Sequence, residues 1–126
     1  METLLENQKK MKKWALYCPE NFLHKYLLIA AEVARVTGKD SEAIDLYDKA
    51  AKSAGENEYT QNEAISNELA GKFHLSKGRS VVAKAYLSKA RAGYLKWGAT
   101  AKVADLDEKY HSLIGKLPAE KVGLLK

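Results

Sequence analysis

The chain has 126 residues and a mass of 14.0 kDa, with 46% hydrophobic residues, 29% charged residues and a formal net charge of +5. These values are typical of one globular domain with room for a hydrophobic core, and the single cysteine, Cys18, excludes an internal disulfide. No apolar run approaches the roughly 18 residues of a membrane span, and the charged N-terminus is unlike a secretory signal, so we expect a cytoplasmic protein with no membrane partner.

The pattern of apolar residues predicts six helices. In chain order they cover residues 2–16, 19–36, 40–55, 59–76, 79–97 and 99–114. Pro19 suits the first turn of the second helix, where the missing N–H of a proline costs nothing. We expect a single helical domain over residues 1–115, followed by a frayed C-terminal tail over residues 116–126.

A shift of 40 residues aligns the middle of the chain with itself. Five identical pairs result: Ala30 with Ala70, Gly38 with Gly78, Ala43 with Ala83, Lys49 with Lys89, and Ala50 with Ala90. Both glycines fall where a helix should end, because glycine accepts the left-handed backbone of a helix terminus. Asp40 or Ser41 in the first copy, and Ser80 in the second, then offer an N-cap to the next helix.

Two types of helix alternate in this pattern. The second-type helices (2–16, 40–55 and 79–97) have one apolar stripe at helical spacing, such as Ala43, Tyr47, Ala50 and Ala54. The first-type helices (19–36, 59–76 and 99–114) offer more apolar surface and are predicted to be covered on two sides. Paired helices in a repeat of about 40 residues indicate an all-α stack of antiparallel hairpins, a tetratricopeptide-like α-solenoid.

Several separate strings carry a family resemblance over about residues 11–113, among them "WALYCPENFLHKYLLIAAEVARVTGK" and "AYLSKARAGYLKWGATAKVADL". They resemble the tetratricopeptide-like helical region of large multidomain signalling proteins. In those proteins a kinase-like domain and a predicted ATPase precede this region, and a GAF sensor domain and often a histidine kinase follow it. The resemblance implies a linker between an ATPase module and a sensor module. The kinase motifs, the ATPase phosphate loop and the GAF domain are not in this sequence, so no catalytic activity is carried over.

The residues predict no enzyme and no cofactor. The three histidines, His24, His74 and His111, lie one on each first-type helix, but the HxxxH or CxxC spacing of a metal site is missing, so ordinary polar or half-buried histidines are favoured over a zinc site. Cys18 beside a helix start is interpreted as a small buried hydrophobic residue rather than a reactive thiol. Neither a glycine-rich phosphate loop nor a Ser–His–acid arrangement is present.

Polar residues on the first-type helices predict a binding groove for a protein or peptide partner, or for flanking domains of the same polypeptide. The candidate groove-lining residues are Asn21, His24, Lys25, Glu32, Arg35, Glu63, Asn67 and His74. In the competing interpretation, Asn21, His24, Asn67 and Glu68 only satisfy one another, or helix ends, between neighbouring helices. The sequence leaves both open.

The cluster "KKMKK" (Lys9, Lys10, Lys12 and Lys13) raises a different possibility. It suggests an alternative function as a nucleic-acid or acidic-surface binding module, although the other cations are interspersed with acidic residues and no recognition motif is visible. We therefore expect a noncatalytic interaction or spacer module first and nucleic-acid binding second. Exposed apolar surface at the ends of such a stack would also predict self-association.

Overall fold

The computed structural model describes residues 2–114, with the side chains of residues 6–18 and 20–114. The predicted C-terminal tail lies outside the described residues. The helices are α1 (Glu2–Tyr17), α2 (Pro19–Val36), α3 (Asp40–Glu56), α4 (Thr60–Ser76), α5 (Ser80–Trp97) and α6 (Thr100–Ile114). Connections of one to three residues join them, so consecutive helices run antiparallel. The prediction of an all-α stack of about six helices is confirmed, and each boundary agrees within one residue.

Four of the connections close in the same way. The left-handed residues Gly38, Glu58, Gly78 and Gly98 lie 20 residues apart, with φ angles of 77°, 64°, 76° and 88°. The N–H of the residue that follows each one donates to a carbonyl five residues earlier, for example Lys39 to Ala34 at 2.8 Å and Tyr59 to Ala54 at 2.8 Å. This is the Schellman closure of a helix end. Glu58 adopts this backbone at a cost of about 1 kcal/mol that glycine does not incur.

The predicted N-caps are wrong. Helix α3 begins at Asp40 itself, with Lys39 in the N-cap position, and α5 begins at Ser80 with Arg79 in that position; neither cap residue makes a side-chain capping bond. The Schellman closure explains the shift, because the residue directly after the glycine is already the N-cap of the next helix. Asp40 instead forms an ion pair with Lys77, at 3.1 Å, and so joins the start of α3 to the end of α4.

The hydrophobic core consists of two clusters that share α4. The first joins α2, α3 and α4 through Ala31, Ala34, Ala43, Tyr47, Ala70 and Phe73. The second joins α4, α5 and α6 through Ala64, Ala90, Tyr94, Val103 and Leu106. Helix α4 is therefore buried on two opposite sides, and only its two remaining sides are available for contacts with a ligand or partner.

Small residues set the separation of α4 and α5. A Cβ atom at Gly71 would lie 2.7 Å from Cγ of Leu87, and one at Gly93 would lie 2.9 Å from Cβ of Ala64. Each glycine thus lets the two helices approach more closely than alanine would. None of the helices in residues 2–114 is long and apolar enough to cross a membrane.

Candidate interaction groove

A cleft follows one free side of α4, and we call it the α4 groove. One part, of about 250 Å³, lies between α2, α3 and α4, and a second part, of about 320 Å³, is formed by α4, α5 and α6. Both parts include Leu69 and Lys72, so they adjoin along α4. Its apolar side chains are Ile65, Leu69, Phe73 and Trp97, and its charged side chains are Glu32, Arg35, Glu68, Lys72 and Lys102.

The spacing of residues along α4 creates this surface. Ile65, Leu69, Lys72 and Ser76 follow one another at intervals of four, three and four residues, which places them on one face of a helix. Ile65 and Leu69 are half-buried, so each packs against the core and still presents apolar surface to the cleft. Trp97, at the end of α5, is 51% exposed and extends the apolar surface.

Glu32 organises the α2 part of the groove. Nε of Arg35 donates to Oε2 of Glu32 at 2.6 Å, and the hydroxyl of Tyr47 donates to the same oxygen at 3.0 Å. The bond and charge of Glu32 raise the pKa of Arg35. Burial, and then the nearby Glu32 carboxylate, raise the pKa of Tyr47. The carboxylate thus fixes the position of one cation at the edge of the groove.

Glu68 organises the α6 part. Its carboxylate accepts a hydrogen bond from the Tyr94 hydroxyl at 2.7 Å and ion pairs from Lys72 at 3.1 Å and Lys102 at 3.2 Å. Burial alone would raise the pKa of Glu68, but the bonds from Tyr94, Lys72 and Lys102 outweigh it, and the pKa is lowered. Glu68 is therefore ionised at neutral pH.

The cations of the groove are more accessible than its anions. The side chains of Arg35, Lys72 and Lys102 are 48%, 44% and 41% exposed, whereas those of Glu32 and Glu68 are 29% and 7% exposed. A ligand in the groove therefore meets three positively charged groups beside apolar surface. This arrangement can hold carboxylates by charge-assisted hydrogen bonds.

Four of the predicted groove residues on α2 are accessible. Asn21, Lys25 and Arg35 are exposed and Glu32 is half-buried. Glu32 and Arg35 lie in the α4 groove. Asn21 accepts a hydrogen bond from the Tyr59 hydroxyl at 2.7 Å, and Nζ of Lys25 lies 6.0 Å from the centre of the Phe22 ring. Asn21 and Lys25 are thus in contact with side chains of the same chain.

The two histidines among the predicted groove residues are buried. His24 is 2% exposed, stacks on Tyr59 with 4.5 Å between ring centres, and shares a 2.9 Å hydrogen bond between its Nε2 and the Asn62 amide. His74 is 4% exposed and stacks on Tyr86 at 5.2 Å. Both side chains join helices, as the competing interpretation of the sequence required for His24, and neither faces a ligand.

Glu63 and Asn67 lie on a different side of α4 from the groove. They line a cleft of about 260 Å³ with Thr60 and with Lys89 and Lys96 of α5. The residues predicted on α4 therefore lie apart from Glu32 and Arg35 of α2. The 40-residue shift takes Lys25, Ile29 and Glu32 to Ile65, Leu69 and Lys72, which line the α4 groove.

The first hairpin has a cleft at the position equivalent to that of Glu63 and Asn67. It has a volume of about 540 Å³ and lies between α2 and α3. Leu23 and Leu27 line it at positions exactly 40 residues before Glu63 and Asn67. The residues at these two positions are therefore apolar in one hairpin and polar in the other, so the chemistry at these positions is not a fixed property of the fold.

Acid is expected to destabilise the fold through the two buried histidines. Burial, aided by Lys25 for His24 and by Arg79 for His74, lowers the pKa of both side chains from 6.5. The unfolded chain keeps the ordinary pKa and binds more protons below that pH, so stability is full above about pH 6.5 and decreases as the pH falls through the lowered values. Urea unfolding at about pH 7.5 and about pH 5.5 measures the effect.

The double substitution His24→Asn and His74→Asn serves as the comparison for this measurement. It removes both titrating groups, so the free energy of unfolding should lose most of its dependence on pH in this window, whatever its absolute value. An equally steep dependence in the double variant would show that other groups cause it.

No group of three or more His, Cys, Asp or Glu side chains within the described part of the chain is arranged to hold a metal ion. Cys18 is a free cysteine of intermediate exposure. Comparison of the chain with protein-family models, with curated proteins and with solved structures finds no significant match in any of the three.

Proposed function

We propose that the chain is a noncatalytic protein-interaction or spacer module, in or derived from a signalling protein, and that the α4 groove is its contact surface. The observation that carries the proposal is the combination of half-buried apolar side chains with three accessible cations in two adjoining clefts along α4. The resemblance of the sequence to the helical region of large signalling proteins supports the signalling context.

The three cations define the chemistry of the partner. Arg35, Lys72 and Lys102 come from α2, α4 and α6, one from each of three successive first-type helices. Lys72 and Lys102 both pair with the Glu68 carboxylate, at 3.1 and 3.2 Å, so these two cations lie side by side, and Arg35 lies beyond them on α2. The partner is therefore a segment that combines acidic side chains, for the cations, with apolar side chains, for the apolar surface beside them.

Selection of peptide ligands from a displayed random library tests this proposal. The ligands should be enriched in acidic side chains beside apolar ones, and the double substitution Arg35→Ala and Lys72→Ala should weaken their binding at least about tenfold, as expected for two charge-assisted contacts. The matched control is Lys49→Ala with Lys52→Ala, which removes two cations of α3 that lie outside the groove. Equal loss in both variants, or a library that yields no ligand, would refute the assignment.

Binding of nucleic acid or another acidic surface is the second candidate. The observation in its favour is that Lys9, Lys10, Lys12 and Lys13 of α1 are exposed. The next second-type helix, α3, carries five acidic and two basic residues, which interrupts any continuous basic surface. Titration of binding to generic DNA against salt separates the two functions, because phosphate contacts weaken steeply as salt increases.

A further inference from the structure

The outward face of α5 has a pattern that packing within this chain does not explain. Five exposed residues follow one another at intervals of four, three, four and three: Val81, Ala85, Ser88, Ala92 and Leu95. The buried residues of the helix lie on its opposite side: Ala83, Leu87, Ala90 and Tyr94. Alternating intervals of three and four are the spacing of the a and d positions in a coiled coil. We call the five exposed residues the α5 seam.

The two ends of the α5 seam carry exposed apolar side chains. Val81 is 83% exposed and Leu95 is 56% exposed. Val82, next to the first of them, is 40% exposed. Burial of such side chains against a partner stabilises the complex, because it removes apolar surface from water. An apolar strip with a polar border is typical of an interaction surface.

The charged residues that border the seam are all positive. Lys84, Lys89 and Lys96 are exposed and occupy the positions that flank the a and d residues of a coiled coil. Helix α5 contains no acidic residue, and none of these three lysines takes part in an ion pair among the described residues. The remaining flanking cation, Arg91, pairs with Asp107 of α6.

Helix α3, the equivalent helix of the first hairpin, shows that hairpin packing does not require an apolar outward face with a basic border. Forty residues before the α5 seam, the same positions hold Ser41, Asp45, Asp48, Lys52 and Gly55. They include no large apolar side chain and carry charges of both signs. Both helices pack through similar buried faces, so the difference between their outward faces has a separate cause.

We propose that the α5 seam docks a single helix of a protein partner, with an apolar seam of its own and acidic residues on both flanks. Flanking residues of opposite charge select the partner in coiled coils, and here the charged flanking residues are three lysines and Arg91. Helix α5 has 18 residues, so the contact is about 27 Å long and is matched by a partner helix of about five turns. An interface of this size gives weak, reversible binding in the micromolar range.

An acidic helix fits the face better than the other acidic partners do. A nucleic acid would use the lysines but leave the apolar residues between them without a contact. An anionic lipid surface would accept both, but it would not respond to the register of the apolar positions. We therefore expect binding to depend both on the charge of the flanking residues and on the spacing of the apolar residues in the partner helix.

This surface is separate from the α4 groove of the proposed function. The two proposals share only the premise that the chain binds other proteins. The substitutions Arg35→Ala and Lys72→Ala leave the seam intact, and substitutions on the seam leave the groove intact. Failure of one assignment is therefore distinguishable from failure of the other.

The probe is a synthetic helical peptide of about 21 residues with leucine at a and d and glutamate on both flanks. A second peptide has lysine on the flanks, and a third has the composition of the first with its leucines out of register. Fluorescence anisotropy measures binding of each to the full chain. We expect micromolar binding of the first peptide and at least tenfold weaker binding of the other two.

Two sets of variants complete the test. Charge reversal by Lys84→Glu, Lys89→Glu and Lys96→Glu should reverse the preference in favour of the lysine-flanked peptide, and Val81→Ser with Leu95→Ser should weaken binding about tenfold. The matched control, Lys9→Glu, Lys10→Glu and Lys12→Glu on α1, changes the net charge equally and should have no effect. Circular dichroism confirms that each variant is folded.

Three results would overturn the proposal. The first is no binding of the glutamate-flanked peptide at several hundred micromolar, and the second is equal loss of binding in the α1 and α5 reversals. The third is equal binding of the in-register and out-of-register peptides; α5-dependent binding of vesicles that contain phosphatidylserine would then assign the face to an anionic lipid surface.

Discussion

Replacement of Asp107 by alanine is expected to lower the free energy of unfolding by about 3 kcal/mol, because it leaves a largely buried guanidinium without a partner. Nε and Nη2 of Arg91 donate to the two oxygens of Asp107 at 2.6 and 3.0 Å. The Asp107 side chain is 8% exposed and that of Arg91 is 23% exposed. The hydrogen bond from this carboxylate raises the pKa of Arg91, which remains charged.

Urea unfolding monitored by circular dichroism measures this effect, and Asp105→Ala is the matched control. Asp105 lies on the same helix, but its side chain is 39% exposed and its partners Lys102 and Lys109 lie 4.0 and 3.4 Å away. An exposed pair of this kind contributes about 0.5 kcal/mol or less. Similar losses in the two variants would mean that α6 is held by its apolar contacts through Val103 and Leu106 alone.

Replacement of Gly71 by alanine should lower the free energy of unfolding by about 2 kcal/mol, although alanine is the better helix former. The new Cβ would lie 2.7 and 2.8 Å from Cγ and Cδ2 of Leu87 and 3.3 Å from its backbone nitrogen. Leu87 is fully buried, so it cannot move aside without displacing other core side chains. The strain therefore forces α4 and α5 apart, and their packing elsewhere is weakened.

Gly55→Ala is the control that separates this strain from the helix preference. The added Cβ would meet only the carboxyl group of Glu63, at 2.5 Å from Oε2, which is the far end of a flexible side chain. We expect this variant to be equally stable or more stable by about 0.5 kcal/mol. Thermal unfolding compares the melting temperatures of Gly71→Ala and Gly55→Ala. An unchanged melting temperature for Gly71→Ala would show that the α4–α5 contact tolerates an added methyl group.

The sequence predicts the helices well because their ends depend on local chemistry. Gly38 and Gly78 are left-handed, as the pattern required. Glu58 was not recognisable as a left-handed residue, because the glutamate side chain gives no signal for that backbone. The caps were misplaced for a related reason. Whether Lys39 or Asp40 is the N-cap residue depends on how the preceding turn closes, and the composition of the turn does not reveal that.

The groove is harder to predict, because its α4 surface combines apolar and polar residues. A hydrophobic pattern assigns Ile65 and Leu69 to the core, which leaves the polar residues Glu63 and Asn67 as the candidates for the groove. A half-buried residue can both pack against the core and line a groove, and a hydrophobic pattern does not distinguish it from a fully buried one. The network at Glu68 was also out of reach, since its partners Tyr94 and Lys102 lie 26 and 34 residues away in the chain.

The antiparallel order of the six helices has a geometric consequence. Each helix with its turn reverses the direction of the chain, so after an even number of helices the chain returns to the end of the stack from which it started. Glu2 and Ile114 therefore lie at the same end, separated sideways by the width of the stack. Segments joined at these two points would emerge side by side, and the width between them would grow with each added pair of helices while their direction stayed the same.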